Sequence, residues 1–330
     1  MKTSSRRNLP LFATAVIFAV LFVCAGVMYD GFFSTRVLVN LFTDTAVTGI
    51  TAVGMTLVIF SGGIDLSVGA VVGFTTIFTA TLIQKHGVHP VLAAASAVAL
   101  GAALGAFMGT LIQVFKQPPF LVTLAGMFLA RGAAWWISTE STEITHPFFV
   151  HLSGYAWEPG GGLRLTVAAL AVFAALAVGY VIAQHTRFGR NLLALGGSEQ
   201  SALLMGLPVG ATRIGVYTLN SAGAALAGIV AAIYSGSGNP SQGVGLELDA
   251  IAIVVIGGTL LSGGRGHMLG TFFGILIFGT IQSALLFDGR LSPAWGRIVV
   301  GLLLLGFILL QRIMLRGVSR RGDGGSFLKL

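Results

Sequence analysis

The stretch SGGIDLSVGAVVGF, residues 61–74, places two glycines and a carboxylate, Asp65, between two apolar runs. A related phrase, SGGRGHMLGTFFG, returns at residues 262–274, with glycines at the same offsets after SGG. The runs before them, 45–60 and 249–261, have about 16 and about 13 residues, whereas a straight membrane span needs about 20. Paired helix breaks of this kind are typical of a transport route, because freed backbone groups need protein or water around them. Two ordinary cytoplasmic turns between tightly packed hairpins are the alternative.

The composition predicts an integral membrane protein surrounded by a lipid bilayer. Hydrophobic residues make up 55% of the 330 residues and charged residues only 9%, too few charges to cover a water-facing surface of this size. The net charge of +8 does not indicate a nucleic-acid partner, because Lys and Arg stand at the ends of apolar runs and form no basic stripe. The single cysteine, Cys24, excludes an intramolecular disulfide.

About ten apolar segments predict an all-α, polytopic transmembrane bundle. The first is expected to be a retained helix rather than a cleaved signal peptide, because it is long enough to span the membrane and lacks an A-x-A-like cleavage site. The amphipathic stretch 31–44 is expected to lie along the outer interface. The predicted segments are residues 9–29, 45–60, 66–84, 90–115, 119–137, 163–184, 213–235, 249–261, 268–287 and 295–311.

Alternating these segments from a cytoplasmic N-terminus puts most of the 19 lysines and arginines inside, which predicts that both termini are cytoplasmic. The whole chain, 1–330, is then one transmembrane domain with an outer loop at 137–164, an inner loop at 185–212 and a basic inner tail at 312–330. Neither loop is long enough to enclose a catalytic domain, so an enzyme is not predicted.

Asp65 has two compatible candidate roles. It is expected to cap the helix that begins at Leu66, where free N–H groups favour negative charge, or to line the route. Arg131 precedes two tryptophans, which favours a snorkelling arginine beside an outer aromatic belt. One helical face carries three glycines that predict close helix packing, namely Gly101, Gly105 and Gly109.

Polar side chains in or beside the spans are further candidates, although each could equally be an interhelical contact. They include Thr56, Ser221 and Thr259. The residues assigned to the translocation route or to the helix breaks are Ser61, Gly62, Gly63, Asp65, Asn220, Glu247, Asp249, Ser262, Gly263, Gly264 and Gln282.

The inner loop contains SEQSALLM at 198–205, a stretch with helical propensity between Gly196, Gly197 and Gly206. A short helix held between glycines suits docking to another protein. A passive connector is the alternative.

Four long phrases, in order along nearly the whole chain, resemble the permease subunits of bacterial monosaccharide ABC importers of the ribose, xylose and galactose branch. They are VGMTLVIFSGGIDLSVGAVVGF (53–74), PPFLVTLAGMFLARG (118–132), TRFGRNLLALGGSEQSALLMGL (186–207) and GVGLELDAIAIVVIGGTLLSGGRGHMLGTFFG (243–274). Shorter details make the chain most similar to a permease of the galactofuranose-type importer, namely RNLP (7–10), STRV (34–37), ITHP (144–147) and FDG (287–289).

The resemblance implies a multi-pass permease of the bacterial inner membrane that moves a monosaccharide, in the closest case galactofuranose, inward by alternating access. It also implies three protein partners: an ABC ATPase, a periplasmic sugar-binding protein and a second permease of different sequence. No cofactor is expected on this chain, because ATP and Mg would bind to the ATPase.

The resemblance also places the ATPase-coupling element on the inner loop. It maps onto Gly196, Gly197, Ser198, Glu199, Gln200, Ser201, Ala202 and Gly206. The small side chain of Ala202 is expected to lie against an ATPase groove. Related permeases commonly carry Asn-x-x-Ala-Ala here, whereas this chain has Ser198, Ser201 and Ala202. The location of the coupling element is expected to be the same, but its individual contacts with the ATPase are expected to differ.

Three other functions have weaker support. LSGGR at 261–265 is similar to the LSGGQ signature of ABC ATPases, but the chain has no G-x-x-x-x-G-K-[ST] phosphate loop. A proton-coupled secondary transporter would use Asp65 or Asp249 as a relay. An intramembrane aspartyl protease would pair the same two acids, but GGID is not the G-x-G-D phrase of such enzymes.

The charge asymmetry generates a topology prediction. Single cysteines at Ser153 and Ser198, in a Cys24→Ala background, should react with an impermeant thiol reagent from the outside and the inside, respectively. Reversed labelling would refute the predicted orientation.

Overall fold

The chain folds into a bundle of helices, described by a computed structural model for residues 9–160, 163–290 and 294–322. The first eight residues and the end of the predicted basic tail, 323–330, lie outside this part. The helices are α1 (Leu9–Met28), α2 (Thr35–Asp44), α3 (Ala46–Phe60), α4 (Val68–Gln84), α5 (Pro90–Val114), α6 (Pro119–Ile137), α7 (Pro147–Gly154), α8 (Val167–Tyr180, continued by a π-turn Val181–His185), α9 (Arg187–Gly197), α10 (Glu199–Leu204), α11 (Val209–Ser235), α12 (Leu246–Ile256), α13 (Met268–Asp288) and α14 (Ala294–Gly322).

Every predicted apolar segment overlaps one of these helices, which confirms the all-α membrane bundle. Among the described residues, six helices are long and apolar enough to cross a membrane, or seven if α2 and α3 are counted as one span bent by 59°. The count of ten spans and the location of the termini stay predictions. The segment predicted at 249–261 is wrong at its end, because α12 has 11 residues and stops at Ile256.

The amphipathic stretch before α3 is helical, as predicted. The hydroxyl of Ser34 caps α2 by accepting the N–H of Val37 at 3.3 Å. Val37, Val39 and Leu41 are buried against the bundle. The chain then bends at Thr45, whose hydroxyl donates to the carbonyl of Leu41, so the turn between α2 and α3 satisfies its own polar groups.

Helix α11 is the central element of the bundle and packs against α3, α4 and, most extensively, α5. The predicted glycine face of α5 makes this contact. A Cβ at Gly101 would lie 2.9 Å from the carbonyl oxygen of Ser221, and one at Gly109 would lie 2.8 Å from the Cα of Ile214. A Cβ at Gly105 would collide with the backbone of α11. The prediction of close helix packing is therefore confirmed.

Two short antiparallel strand pairs lie at one end of the bundle. Strand β1 (Thr142–Glu143) pairs with β4 (Ser237–Gly238), and β2 (Ala156–Gly160) pairs with β3 (Leu163–Thr166). The predicted outer loop therefore carries secondary structure of its own, and β1 ties it to the end of α11.

Candidate functional site

The two SGG phrases form turns that meet each other. Gly62, Gly263 and Gly264 have φ angles of 80°, 83° and 73°, in the left-handed region where a side chain is disfavoured. The N–H of Gly264 donates to the carbonyl of Phe60 at 3.1 Å. The predicted helix breaks, at residues 61–63 and 262–264 of the sequence, are therefore in direct backbone contact.

The glycines of the inner loop join the same contact. A Cβ at Gly196 would collide with the carbonyl oxygen of Phe60 and would lie 2.6 Å from the nitrogen of Gly264. A Cβ at Gly264 would lie 2.6 Å from the Cα of Gly197. We call Gly62, Gly196, Gly263 and Gly264 the glycine junction. It brings the ends of α3 and α9 and the turn after α12 within backbone contact.

The glycines that follow each SGG phrase have different partners. In α4, a Cβ at Gly69 would collide with the carbonyl oxygen of Gly243. A Cβ at Gly73 would lie 2.7 Å from the carbonyl oxygen of Gln242. In α13, side chains at the matching glycines would meet the backbone of α12. Also, α3 and α4 each pack on α11, whereas α12 packs directly on α13. The same glycine spacing therefore allows α4 to approach the loop before α12 closely, and α13 to approach α12 closely.

Asp65 does not cap the helix at Leu66, because α4 begins at Val68 with Ser67 as its N-cap residue. Its Oδ1 accepts the backbone N–H of Ser67 at 2.9 Å and the hydroxyl at 2.6 Å. Its Oδ2 accepts the side-chain amide of Asn220 at 2.8 Å. The carboxylate is fully buried, so it holds the non-helical segment after the first SGG turn against α11.

Two polar atoms beside Asp65 have no hydrogen-bond partner among the described residues. They are the hydroxyl of Tyr217 and the Oδ1 of Asn220, both buried. Glycines make room for them, since a Cβ at Gly63 would collide with the Tyr217 hydroxyl and one at Gly54 with the Asn220 oxygen. The cluster is polar and tightly enclosed.

The inner segment, residues 196–206, is anchored to the bundle by an ion pair. The guanidinium of Arg213 in α11 donates to both carboxylate oxygens of Glu199, at 3.0 and 2.7 Å, and also to Gln113. The hydrogen bond from Arg213 holds the pKa of Glu199 below its usual range, which favours the ionised carboxylate. Glu199 therefore faces the bundle.

The expectation that Ala202 faces an ATPase groove is wrong. Its side chain is completely buried in a small apolar cluster with Leu195, Leu207 and Val209. The exposed apolar residues of the segment are instead its last ones. Leu204 is 83% exposed and Met205 65% exposed. Among the other predicted coupling residues, Gly197, Ser198, Gln200, Ser201 and Gly206 are exposed.

The remaining predicted route residues lie apart from the Asp65 cluster. Ser61 is bonded to the carbonyl of Val58 at the end of α3, and Ser262 is exposed in the second SGG turn. Gln282 is half-buried, with its oxygen near Gly296 of α14.

Glu247 and Asp249 lie in the first turns of α12, after the loop that follows β4. Arg131 is not a snorkelling side chain, because its guanidinium donates to the carbonyls of Pro240 and Gln242 at 2.6 and 2.8 Å. It therefore fixes this loop on α6.

The other polar candidates are buried. The hydroxyls of Thr56 and Thr271 are 2.7 Å apart, and Ser221 and Thr259 are fully buried. The Thr56–Thr271 pair joins α3 to α13, and all of these side chains are buried rather than exposed to an open passage.

Sequence reasoning missed Arg213 and Tyr217 as residues of the candidate site. With Asn220 they lie on one face of α11 at intervals of four and three residues, a spacing that marks a polar stripe on an otherwise apolar helix. That stripe was the available signal. The pairing of Arg213 with Glu199 has no comparable sequence signature.

Comparison with known proteins agrees with this architecture. Residues 37–308 match the family model described as the permease component of the branched-chain amino acid transport system. The chain belongs to this family. It is a multi-pass membrane protein, as predicted.

Curated relatives cover most of the chain. The chain is 50% identical to the inner membrane ABC transporter permease protein YjfF of Escherichia coli K12, over 91% of this chain and 90% of that one. It is 39% identical to the fructose import permease FruG of Bifidobacterium longum, over 91% and 89%. It is 37% identical to the ribose import permease RbsC of Escherichia coli K12, over 87% and 88%. No solved structure matches the chain.

The glycine junction predicts a contrast between two adjacent positions. Gly196→Ala should lower stability by about 1–3 kcal/mol, the usual range for overpacking, because its Cβ collides with backbone. Gly197→Ala should be neutral, because no atom lies within 4 Å of its Cβ position. The thermal midpoint of the purified protein in detergent would measure both. Equal midpoints would contradict the close contact.

The Asp65 contacts predict a second contrast. Asp65→Ala removes the acceptor of Ser67 and Asn220 and should cost about 1–3 kcal/mol for each buried donor left unpaired. Asp65→Asn should lose less, because it keeps one acceptor oxygen and Asn220 can turn its free Oδ1 toward the new amide. Thermal midpoints and surface levels of both variants would test this. An Asn variant as unstable as the Ala variant would show that the charge itself is required.

Proposed function

We propose that the chain is the membrane-spanning permease subunit of an ATP-binding-cassette importer that moves a monosaccharide into the cell by alternating access. The fructose and ribose import permeases among its relatives support the substrate class. Galactofuranose, suggested by the shorter sequence details, is the particular sugar we propose. Hydrolysis of ATP with Mg would take place on a separate ATPase chain.

The observation that carries this proposal is the glycine junction. Gly196, at the start of the inner segment, is in backbone contact with both SGG turns. Because backbone atoms in contact have no side chains between them to rearrange, a displacement of α9 must move the ends of α3 and α12 with it. An ATPase that pushed on the inner segment would therefore act on both helix breaks.

The exposed end of the inner segment is the proposed docking surface for the ATPase. Leu203, Leu204 and Met205 project an apolar surface from α10 and the turn that follows. Exposed apolar side chains that lie next to one another mark surfaces of protein–protein contact. The buried Ala202 and the Glu199–Arg213 pair hold this surface rigidly on the bundle.

The complete importer would contain two further proteins. A periplasmic sugar-binding protein would deliver the sugar, and a second permease of different sequence would complete the route. ATP binding would close the ATPase pair and rock the two permeases, and release of ADP and phosphate would reset them.

We expect Leu204→Arg to weaken ATPase binding strongly while leaving the permease intact. The side chain is largely exposed in the isolated chain, so the cation is solvated there. In the docked complex it would be desolvated, at about 3 kcal/mol, which weakens association about 100-fold. Co-purification with the ATPase and sugar-stimulated ATP hydrolysis in nanodiscs would measure the loss.

Leu204→Met is the matched control, because it keeps an apolar side chain of similar volume. It should retain ATPase binding and ATP hydrolysis. If Leu204→Arg also retained both at the wild-type level, the inner segment would not be the docking site. The test does not depend on which sugar is carried.

A further inference from the structure

A cavity opens at the end of the bundle opposite the inner segment. Its volume is about 240 Å³, and it lies where the bend between α2 and α3 faces the end of α11 and the start of α12. Its polar lining includes Asp44, Thr48, Tyr234, Gln242 and Asp249. Pockets for drug-sized ligands have about 300–1,000 Å³, so this cavity suits a smaller ligand.

The position of the cavity is set by the length of α11. Arg213, near the start of this helix, contacts the inner segment, and Tyr234, near its end, lines the cavity. About 30 Å of helix separates the two residues at 1.5 Å per residue, which matches the thickness of a bilayer's hydrocarbon core. The cavity and the proposed ATPase-docking surface therefore lie at opposite ends of the bundle.

The polar groups of the cavity suit hydroxyl-bearing ligands. The Oδ1 of Asp44 accepts the hydroxyl of Tyr234 at 3.2 Å, which leaves other lone pairs of the carboxylate for further donors. Asp249 adds a second carboxylate acceptor, and Gln242 is exposed with an amide that both donates and accepts. Carboxylate acceptors make stronger hydrogen bonds to hydroxyl groups than neutral acceptors do.

Tyr234 also offers an apolar surface. Its side chain is 61% exposed, and an exposed aromatic ring beside hydrogen-bonding groups presents one apolar face and one polar tip. A sugar ring has the complementary surface, with C–H groups on a face and hydroxyl groups at the edge. A charged or purely polar ligand would leave the ring without a partner.

A metal ion fits the cavity less well. Arg297 lies close enough to Asp249 to interact with it electrostatically, which offsets one of the two negative charges. The described residues contain no group of three or more His, Cys, Asp or Glu that could hold a metal ion.

A lipid-facing surface is also a poor fit for the cavity. Neither Asp44 nor Asp249 suits contact with lipid, because charged groups in hydrocarbon are strongly disfavoured.

We propose that this cavity is a monosaccharide-binding subsite, in which Asp44, Gln242 and Asp249 bond the sugar hydroxyls and Tyr234 covers a face of the ring. The inference rests on the proposed function and specifies where this chain receives the sugar. The subsite forms part of the entrance to the route, ahead of the Asp65 cluster and the glycine junction.

The test uses the full complex of this chain with its ATPase and second permease in nanodiscs, without binding protein. Saturation-transfer NMR with D-ribose, D-fructose and methyl D-galactofuranoside, whose glycosidic bond keeps the furanose ring closed, at millimolar concentration would measure direct binding. We expect at least one of the three sugars to bind, and Asp44→Ala and Tyr234→Ala to weaken that binding at least about tenfold, the effect of losing one strong hydrogen bond or a ring contact. Tyr234→Phe, which keeps the ring, should have a smaller effect.

The chain offers a matched control at the same end of the bundle. Asp288 accepts the hydroxyl of Tyr29 at 3.5 Å but does not line the cavity. Asp288→Ala should leave sugar binding unchanged. All variants should insert normally and co-purify with the ATPase, because Asp44 and Tyr234 are exposed and lie at the end of the bundle opposite the proposed docking surface.

The outcomes separate this inference from the function on which it rests. Wild-type sugar binding in both the Asp44 and the Tyr234 variant, or an equal loss in Asp288→Ala, would overturn the subsite alone. Absence of sugar uptake by the wild-type complex, supplied with ATP and its binding protein, would overturn the proposed function and the subsite together.

Discussion

The glycine junction is the constraint on which the rest of the structure depends. A peptide N–H of the second SGG turn bonds the last carbonyl of α3, and the end of α9 fills the space beside it. Side chains at Gly196 or Gly263 would separate these backbones, because their Cβ atoms would lie much closer to main-chain atoms than van der Waals contact allows. Three segments far apart in sequence are thereby held in one contact. The short lengths of α3 and α12 follow from it, since both helices must end where their turns meet.

Helix α11 connects this junction to the opposite end of the bundle. Arg213 at its start bonds Glu199, Asn220 further along bonds Asp65, and Tyr234 near its end bonds Asp44. Each polar contact joins α11 to a different part of the chain. Because the helix is also packed closely on the glycines of α5, it has little freedom to move by itself. A displacement of the inner segment would therefore reach the cavity through a rigid element, which is the physical basis for the coupling that we propose between the two ends.

Particular residues show where sequence reasoning succeeded and where it did not. The glycine face of α5 was predictable, because a spacing of four residues places small side chains on one side of a helix. The breaks at both SGG phrases were predictable from short apolar runs that end in glycine. The roles of Asp65, Arg131 and Ala202 were not. Asp65 bonds Ser67 and Asn220 instead of capping at Leu66, Arg131 bonds loop carbonyls instead of reaching outward, and Ala202 is buried.

The sequence by itself determined the membrane environment, the fold class and the family of this protein. Composition, the period of apolar residues and ordered motifs are local properties, so they can be obtained without knowing which segments touch. The tertiary structure decided that the two SGG turns meet the inner segment, that Glu199 pairs with Arg213, and that Asp44, Tyr234 and Asp249 line one cavity. These contacts join residues that are up to about 200 positions apart, and their geometry depends on how whole helices pack. No local pattern specifies such an arrangement, because the same short sequence can face lipid, a neighbouring helix or a cavity, depending on what packs beside it.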